Sequence, residues 1–153
     1  MQPAETRQDA YIISSDPALL QLNVIHRYLS EDSYWAKNIP LDIVRRSVDN
    51  SLCFGVYHDG AQVGFARVIT DRATFGYLAD VFILPAHRGQ GLSKRLMEAI
   101  LSHPALQDLR RMALLTEDAQ GLYKQFGFNV YEYPERFMSR RIGPVYEKYP
   151  TAP

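Results

Sequence analysis

The sequence predicts a mixed α/β layer fold with a single sheet. Candidate elements follow the order strand, two helices, three strands, helix, strand, helix, two strands. Asp59-Gly60 lies between two β-rich runs and suits a tight hairpin turn. A strand, a helix and a strand follow one another between residues 76 and 116, which implies a right-handed crossover between parallel strands.

The first 29 residues predict one strand and one helix. Residues 1–9 are polar and are expected to be frayed. YIIS at 11–14 predicts a short strand. Asp16 then supplies an N-cap and Pro17 the first helical position. Apolar residues at helical spacing predict that this helix continues to about Leu29.

A loop, a helix and three strands come next. Residues 30–40 predict a loop with bulky aromatic side chains, and Pro40 opens a second helix. The two β-rich runs that flank Asp59-Gly60 predict the strands of the hairpin. FGYLADVFILP at 75–85 predicts the fourth strand of the chain.

The remaining residues alternate helices and strands. The pattern predicts a helix from about Gly89 to Ser102, a strand at 111–116, a short helix at 118–126, and strands at 127–133 and 136–142. The proline-rich tail is expected to be irregular. We therefore expect a single domain over residues 1–153, with a short polar N-terminal tail and a proline-containing C-terminal tail.

The composition excludes several classes of protein. Lys plus Arg and Asp plus Glu number 17 each, so the chain lacks the clustered basic charge that nucleic-acid binding needs. Cys53 is the only cysteine, which excludes an internal disulfide and a cysteine-rich zinc site. Its strand-like surroundings predict a buried, inert thiol. We expect no nucleic-acid partner and no metal.

Nothing in the sequence predicts membrane insertion or export. No apolar run approaches the roughly 18 residues that a membrane helix needs. The N-terminal segment MQPAETRQDA contains no signal-peptide core. We expect no membrane partner and a cytoplasmic location.

The stretch HRGQGLSKRLM at 87–97 places an arginine and two glycines between a predicted strand and a helix. A P-loop needs Lys before Ser or Thr, whereas Ser93-Lys94 has the reverse order. A dinucleotide-binding loop needs a third glycine at the position that Lys94 occupies. A shorter Arg-x-x-Gly-x-small loop fits Arg88, Gly91 and Ser93. Its backbone N–H groups would hold a pyrophosphate at the positive end of the helix. The alternative is a plain turn before a surface helix.

Two blocks of the sequence, LADVFILPAHRGQGLSKRLMEAIL and DAQGLYKQFGF, resemble the GNAT N-acetyltransferase superfamily. They follow one another at the spacing of that family and cover the second half of the fold. Ser93 departs from the pattern, because the family prefers Gly or Ala there. The resemblance implies a GNAT-like mixed, mostly antiparallel sheet flanked by helices. It also implies a V-shaped splay between the fourth and fifth predicted strands, 75–85 and 111–116.

The resemblance further implies that acetyl-CoA is the co-substrate and that an amine attacks its thioester directly in a ternary complex. The implied phosphate binders act mostly through backbone N–H groups and are Arg88, Gly89, Gly91, Leu92, Ser93 and Lys94. Lys94 either adds charge or is a solvated surface residue. Backbone groups of Phe82 and Ile83 would pair with the pantetheine arm and polarise the thioester carbonyl.

Three residues are implied in catalysis or in contact with the CoA arm. Tyr123 matches the family's general acid for the leaving thiolate, although its spacing with other apolar residues also suits a core position. Asp80 is near the position of the family's acidic base and would act through a water; Tyr77 and His26 are weaker candidates. Asp118 either contacts the CoA arm or caps the helix at 118–126.

The acceptor site is expected beside the first two helices. Its implied lining residues are Tyr28, Ser33, Tyr34 and Trp35, with Glu31 and Asp32 near the rim. Aromatic rings with carboxylates would hold an ammonium group, but the same residues could equally be core and solvated loop.

The resulting prediction is an acetyl-CoA-dependent N-acetyltransferase for a primary amine of a small molecule or peptide. The alternative is a non-catalytic, regulatory acyl-CoA-binding module of the same fold. A nucleotide-binding protein is disfavoured by the missing P-loop lysine and third glycine. An exposed strand edge near the C-terminus would allow a homodimer.

Overall fold

The fold is described by a computed structural model that covers residues 2–143 and Tyr146. Within these residues six strands form one sheet, namely β1 (Glu5–Gln8), β2 (Tyr11–Ser14), β3 (Leu52–His58), β4 (Ala61–Thr70), β5 (Phe75–Ile83) and β6 (Arg111–Leu114). The α-helices of the same part of the chain are α1 (Leu22–Arg27), α2 (Leu41–Asp49), α3 (Leu92–Leu101) and α4 (Gln120–Lys124).

The strands lie in the sheet in chain order, β1 to β6. Neighbouring strands are antiparallel except β5 and β6, which are parallel, with Phe75 opposite Arg111 and Leu78 opposite Leu114. The helix α3 lies in the connection between these two parallel strands. The predicted mixed, mostly antiparallel sheet flanked by helices is confirmed.

The hairpin between β3 and β4 turns at Asp59-Gly60, as predicted. His58 pairs with Ala61, and the two turn residues have φ values of 51° and 78°. Both lie in the left-handed region that a tight, twist-matched hairpin turn requires, and Asp and Gly tolerate this region better than most residues.

The prediction that residues 1–9 are frayed was wrong. The strand β1 pairs with β2 over four residues, from Glu5 opposite Ser14 to Gln8 opposite Tyr11. All four β1 side chains are exposed, so the sequence shows no apolar alternation there. The strand is held by backbone hydrogen bonds along β2, which do not depend on side-chain polarity.

The single predicted helix from Asp16 to Leu29 is divided into three parts. A 3₁₀ turn spans Pro17–Leu19, α1 follows, and a π-helical turn spans Tyr28–Asp32. The expected N-cap is present, because the Asp16 carboxylate accepts from the Ala18 N–H at 2.9 Å.

The division has a tertiary cause at Gln21, which has an extended backbone. Its N–H donates to the Gln62 side-chain oxygen at 2.7 Å, and its own side-chain oxygen accepts from the Gln62 N–H at 3.0 Å. Gln62 is buried. The reciprocal pair replaces helical hydrogen bonds, so the helix begins anew after Gln21.

The strands predicted at 127–133 and 136–142 are absent from the part of the chain that the structure describes. That segment contains only a 3₁₀ turn, Pro134–Arg136. Strand-like composition is not sufficient, because a strand also needs a neighbour with free backbone groups, and this segment does not pair with β6. The expected irregular tail lies, apart from Gly143 and Tyr146, outside the described residues.

The sheet separates two apolar clusters. One face packs against α3, whose Leu92, Leu96, Met97 and Ile100 are buried. The opposite face packs against α1 and α2, and it buries aromatic and aliphatic side chains including Phe65. The sheet is therefore covered by helices on both faces, with α3 on one side and α1 and α2 on the other.

The β5–β6 ladder is short and ends beside an irregularity of β5. The pairing stops at Leu78, whereas β5 continues to Ile83. Against β4, Phe82 is opposite Phe65 but Ala79 is opposite Arg67, so β5 contains one extra residue, a β-bulge. Asp80 lies in this bulge with φ of 56°. The predicted V-shaped splay remains a prediction, which the early end of this ladder supports.

No helix of the described residues has the length and apolarity required to cross a bilayer. The predicted cytoplasmic location stays a prediction.

Candidate active site

A cavity of about 980 Å³ opens where the β5–β6 ladder ends. It is lined by β5, by the β6–α4 connection, by α4 and by the turn after α1. The predicted site residues that line it are Tyr28, Tyr34, Trp35, Asp80, Phe82, Ile83, Arg88, Ser93, Asp118 and Tyr123. The predicted site residues that do not are Ser33, Gly89, Gly91, Leu92 and Lys94.

The glycine loop lies at the N-terminus of α3, at the edge of this cavity. Gly89 and Gly91 have φ values of 79° and 75°, and Gly91 is the N-cap of α3 without any side-chain cap. A Cβ atom at Gly91 would meet no other atom within 4 Å, so the space in front of the helix is open. The first N–H groups of a helix have no acceptor within it. Here those groups belong to Leu92, Ser93 and Lys94, because Arg95 is the first that donates, to the Gly91 oxygen at 3.2 Å.

The Arg88 side chain points toward β5 and the turn after α1. Its Nε donates to the Ile83 carbonyl at 2.9 Å, and its Nη2 donates to the Tyr28 hydroxyl at 3.1 Å. The Tyr28 ring stacks on Phe82 with 4.0 Å between ring centroids. The Arg88 side chain therefore connects the glycine loop to the cavity wall.

The two predicted β5 backbone contacts are not equivalent. The Leu84 N–H donates to the Val63 carbonyl on the β4 side at 2.8 Å. Successive residues of a strand turn their backbone groups to opposite sides, so Ile83 faces away from β4 and Phe82 faces toward it. The Ile83 carbonyl, which Arg88 contacts, agrees with this alternation. The structure thus favours Ile83 over Phe82 for a backbone contact with a ligand.

The Asp80 carboxylate has a partner on each oxygen. Oδ2 accepts from the Arg67 Nε at 2.6 Å, and Oδ1 accepts from the Trp35 indole N–H at 2.8 Å. The Arg67 and Asp80 side chains are largely buried. Each carboxylate oxygen keeps a further lone pair, so Asp80 can also bind a water or an amine.

Tyr123 lies on α4 and is buried, and its ring packs edge-on against Phe128 at 6.0 Å. Tyr123 lines the cavity, and its hydroxyl has no hydrogen-bond partner among the described residues. Burial, together with smaller effects of the neighbouring Tyr34 and Asp118, raises the pKa of Tyr123 to about 12. The phenol is therefore protonated at neutral pH and can donate a hydrogen bond to a group in the cavity.

Asp118 does not cap α4. The N-cap is Ala119, which makes no side-chain cap, and the Ala119 N–H donates instead to the Thr116 hydroxyl at 3.0 Å. The interpretation of Asp118 as a helix cap was therefore wrong. Asp118 itself lines the cavity, so contact with a ligand is the hypothesis that remains for this residue.

Aromatic side chains form the wall opposite Tyr123. Tyr34 and Trp35 are partly exposed and pack edge-on with 5.0 Å between centroids. The Tyr34 hydroxyl accepts from the Glu117 N–H at 3.1 Å, so the loop after α1 spans the cavity to the β6–α4 connection. Of the two predicted rim carboxylates, Asp32 lines the cavity and Glu31 does not.

Ser33 and His26 hold the backbone of the loop after α1. Ser33 is buried, donates to the Leu29 carbonyl at 2.6 Å and accepts from the Ala36 N–H at 3.0 Å. The His26 Nε2 lies 3.0 Å from the Ile39 carbonyl and outside the cavity. Tyr77, the other weak candidate for the base, does line the cavity, and burial raises its pKa.

Sequence reasoning missed Arg67, Thr116 and Glu117, all of which line the cavity. Arg67 interrupts the apolar alternation of β4 as a charged residue with apolar neighbours on both sides. That interruption could have identified Arg67 as a site candidate, because a buried arginine requires an acidic partner. The positions of Thr116 and Glu117 carry no comparable signal.

Cys53 is buried, as predicted, and its thiol lies 3.6 Å from the Val48 carbonyl. Burial raises its pKa to about 12. Because the folded state keeps this proton and the unfolded state loses it near pH 9, the free energy of unfolding should fall as the pH rises from about 9 toward 12. The maximum slope for one group is about 1.4 kcal/mol per pH unit.

We expect Cys53→Ala to unfold more readily than the parent at pH 7 but to lose less stability between pH 8 and pH 10, which is about 1 unit on each side of the ordinary thiol pKa of 9.0. Urea unfolding at both pH values measures this difference. Equal losses in the variant and the parent would show that Cys53 does not control the alkaline limit.

No group of three or more metal-ligating side chains occurs among the residues that the structure describes.

Comparison with known proteins gives consistent matches. The sequence profile of the acetyltransferase (GNAT) family matches residues 22–128. A Gibberella zeae protein described as an acetyltransferase is 39% identical, and the match covers 82% of each chain. A Xanthomonas campestris crystal structure described as a GNAT-family acetyltransferase is 51% identical, with a TM-score of 0.88 and coverage of 93% of this chain and 100% of that one.

A more distant match carries a ligand. An acetyltransferase from Clostridium acetobutylicum, solved with acetyl-CoA, is 14% identical, with a TM-score of 0.60 and coverage of 92% of this chain and 96% of that one. At this identity the similarity shows a shared fold.

Proposed function

This chain belongs to the acetyltransferase (GNAT) family, and from this premise we propose that it transfers the acetyl group of acetyl-CoA to a primary amine of a small molecule or peptide. The observation that carries the proposal is that one cavity is lined by Asp80, Ile83 and Tyr123 and lies beside the open N-terminus of α3. We further propose that the whole chain is one domain, since all the described strands belong to one sheet.

Acetyl-CoA would bind with its pyrophosphate at the N-terminus of α3. Three backbone N–H groups without helical acceptors and the positive end of the helix dipole together favour an anion there. Positive φ at Gly89 and Gly91 shapes the loop so that the backbone, free of side chains, faces the ligand. Lys94 is exposed on α3 and would add charge. The ligand of the Clostridium relative supports the same co-substrate here.

The pantetheine arm would enter the cavity along the unpaired part of β5. Beyond Leu78 this strand has no β6 partner, so its outward backbone groups can pair with an extended ligand. The Ile83 N–H lies on this side and would donate to the thioester oxygen. Negative charge develops on that oxygen during attack, and a fixed donor stabilises it.

Attack by the amine needs a proton acceptor, because amines with a pKa near 10.4 are protonated at neutral pH. Asp80 would take this proton, directly or through a water. The Arg67 and Trp35 contacts fix its carboxylate, and the bulge turns it toward the cavity. The amine nitrogen then forms a bond to the carbonyl carbon, the carbon–sulfur bond breaks, and CoA leaves as the thiolate.

Tyr123 would stabilise this thiolate. A phenol with a pKa near 12 is a weaker acid than a thiol with a pKa near 8.5, so donation of a hydrogen bond is favoured over complete proton transfer. The proton can reach the sulfur later from solvent. The hydroxyl is free for this role because it has no other partner among the described residues.

The proposal is tested by an acceptor screen. Acetyl-CoA is incubated with diamines, amino sugars, amino acids and short peptides, and release of free thiol is followed. Turnover with at least one primary amine, and none with the matched alcohol, is the expected result. Acetyl-CoA binding without turnover of any acceptor would instead indicate the non-catalytic acyl-CoA-binding module.

We expect Asp80→Asn to lower kcat by about a hundredfold or more, with little change in acetyl-CoA affinity, because general base catalysis typically contributes that much. Asparagine tolerates the positive φ at position 80, and its side chain has nearly the same shape as that of aspartate. Steady-state kinetics and calorimetry measure the two quantities.

Asp80→Asn also breaks the ion pair with Arg67 and leaves the buried Arg67 charge without its partner. The double variant Asp80→Asn, Arg67→Gln removes both charges and is the control. If the double variant regains the parent rate, Asp80 has only a structural role and the base is another residue or solvent.

A further inference from the structure

The glycine loop that leads into α3 is held by few hydrogen bonds of its own backbone. Among the described residues, the N–H groups of Gly89, Gln90 and Gly91 donate to no acceptor. Both glycines have positive φ, and a Cβ atom at either would meet nothing within 4 Å. Glycine loses more conformational freedom on ordering than any other residue. The side chains that hold this loop therefore influence how well it binds a ligand.

Two side chains hold the loop from opposite sides. Arg88 connects it to the cavity wall, and Tyr11, the first residue of β2, contacts it from elsewhere. The Tyr11 hydroxyl lies 2.8 Å from the His87 Nδ1 and donates to the Gln90 Oε1 at 3.4 Å. One hydroxyl proton cannot serve both contacts, so both form together when the His87 Nδ1–H donates to the Tyr11 oxygen. The result is a continuous chain of hydrogen bonds from His87 through Tyr11 to Gln90.

Three aromatic rings fix the direction of the Tyr11 hydroxyl. Tyr11 is 8% exposed and belongs to the apolar cluster that packs against α3. Its ring meets the His87 ring edge-on, with 5.7 Å between centroids. His58, which is opposite Tyr11 in β3, lies 4.9 Å from the Tyr11 ring and 5.3 Å from the His87 ring. Because the rings pack on one another, the hydroxyl cannot turn away from the loop without disturbing this cluster.

The position of Tyr11 limits what its hydroxyl can do. Tyr11, His87 and Gln90 do not line the cavity that contains Asp80 and Tyr123. A phenylalanine ring would fill the same space in the apolar cluster, so packing does not require the oxygen. Among the described residues, the hydroxyl contacts only His87 and Gln90. Its effect is therefore on the glycine loop.

We propose that Tyr11 is a positioning residue for acetyl-CoA binding. Through His87 and Gln90 it holds the glycine loop in the conformation that leaves the first N–H groups of α3 open to the pyrophosphate. A loop that adopts its binding conformation for only part of the time binds more weakly in proportion to that fraction. The role rests on the proposed function, because acetyl-CoA is the ligand, and it concerns binding of this ligand and not the acetyl transfer that follows.

Tyr11→Phe tests the role directly. The variant should bind acetyl-CoA about three- to tenfold more weakly by calorimetry, which is the usual effect of losing one such hydrogen bond. The kcat at saturating acetyl-CoA and the KM for the acceptor should not change. A variant with a lowered melting temperature but parent-like affinity would show that the hydroxyl only stabilises the fold, and a fall in kcat at saturation would show a role in the reaction. Either result overturns the proposal.

Tyr57→Phe is the matched control for this change. Tyr57 is also a buried tyrosine, in the neighbouring strand β3, but its hydroxyl has no partner among the described residues. The control should keep the acetyl-CoA affinity of the parent. An equal loss of affinity in Tyr57→Phe would assign the effect to the core in general and would overturn the role of Tyr11.

A double-mutant cycle locates the path of the effect. His87→Phe keeps an aromatic ring beside Tyr11 and His58 but removes the nitrogen that faces the hydroxyl. Tyr11→Phe should then weaken acetyl-CoA binding by a smaller factor in the His87→Phe background than in the parent. Equal factors in the two backgrounds would mean that the hydroxyl does not act through His87, which overturns the proposal.

The order of the loop is measured without any ligand. In the parent, the backbone ¹⁵N order parameters of Gly89 and Gly91 should lie near the rigid value of about 0.85, and in Tyr11→Phe they should fall toward the flexible range below about 0.6. Parent-like order parameters in the variant, or a loop that is already flexible in the parent, overturn the proposal while acetyl-CoA binding by the parent still supports the proposed function. A parent that binds no acetyl-CoA overturns both.

Discussion

A glutamate at Gly91 is expected to abolish acetyl-CoA binding. Gly91 is the N-cap of α3, has φ of 75° and faces open space. A glutamate would place a side chain and a negative charge where the pyrophosphate is proposed to bind. A loss of affinity of at least a hundredfold, about 2.7 kcal/mol, should be seen by calorimetry.

Gly60→Glu is a matched control for this change. Gly60 has φ of 78° and also faces open space, but it lies in the hairpin turn between β3 and β4. Both variants therefore carry the same backbone strain, of the order of 1 kcal/mol, and the same added charge. Parent-like affinity in Gly91→Glu would mean that the loop is a plain turn, and equal losses in both variants would indicate a general effect on folding.

Loss of the Tyr123 hydroxyl is expected to reduce turnover while acetyl-CoA still binds. Tyr123→Phe keeps the ring, so packing against Phe128 is conserved. The hydroxyl has no partner among the described residues, so its removal should leave the melting temperature nearly unchanged. A hydrogen bond made to the leaving thiolate would be lost in the transition state, and kcat should fall at least about tenfold.

Tyr57→Phe is the control for this prediction. Tyr57 is buried on β3, its hydroxyl has no partner among the described residues, and it does not line the cavity. Its phenylalanine variant should keep full turnover. Because the pKa of Tyr123 is about 12, the loss in Tyr123→Phe should also be constant between pH 7 and pH 9. Parent-like kcat in Tyr123→Phe would remove this residue from the mechanism.

Features that depend on neighbouring residues could be predicted from the sequence. The hairpin at Asp59-Gly60 follows from two residues that tolerate positive φ. The turn into α3 is specified in the same way by two glycines, and the cap at Asp16 by its side chain. In each case the determining hydrogen bonds or dihedral angles lie within a few residues of one another, so the local sequence contains the information.

The errors in the strands and in the first helix lie where the hydrogen-bond partner is outside the element itself. Residues Glu5–Gln8 form a strand because they pair with the backbone of β2. The helix after Asp16 is divided because Gln21 forms hydrogen bonds with Gln62. Residues 136–142 have the composition of a strand but lack a partner within the described chain. Strand formation and helix length thus depend on hydrogen bonds to residues outside the element, which the composition of the element itself does not record.

The candidate site shows the same division. Sequence patterns predicted the family, the order of most elements, the glycine loop and the candidates Asp80 and Tyr123. The sequence did not reveal that Arg67 and Trp35 hold Asp80, that Arg88 contacts Tyr28, or that the Ile83 backbone, unlike that of Phe82, faces away from β4. The reason is physical: these contacts join residues 13 to 60 positions apart, and their geometry arises from the bulge in β5 and the end of the β5–β6 ladder, which exist only when the sheet is assembled.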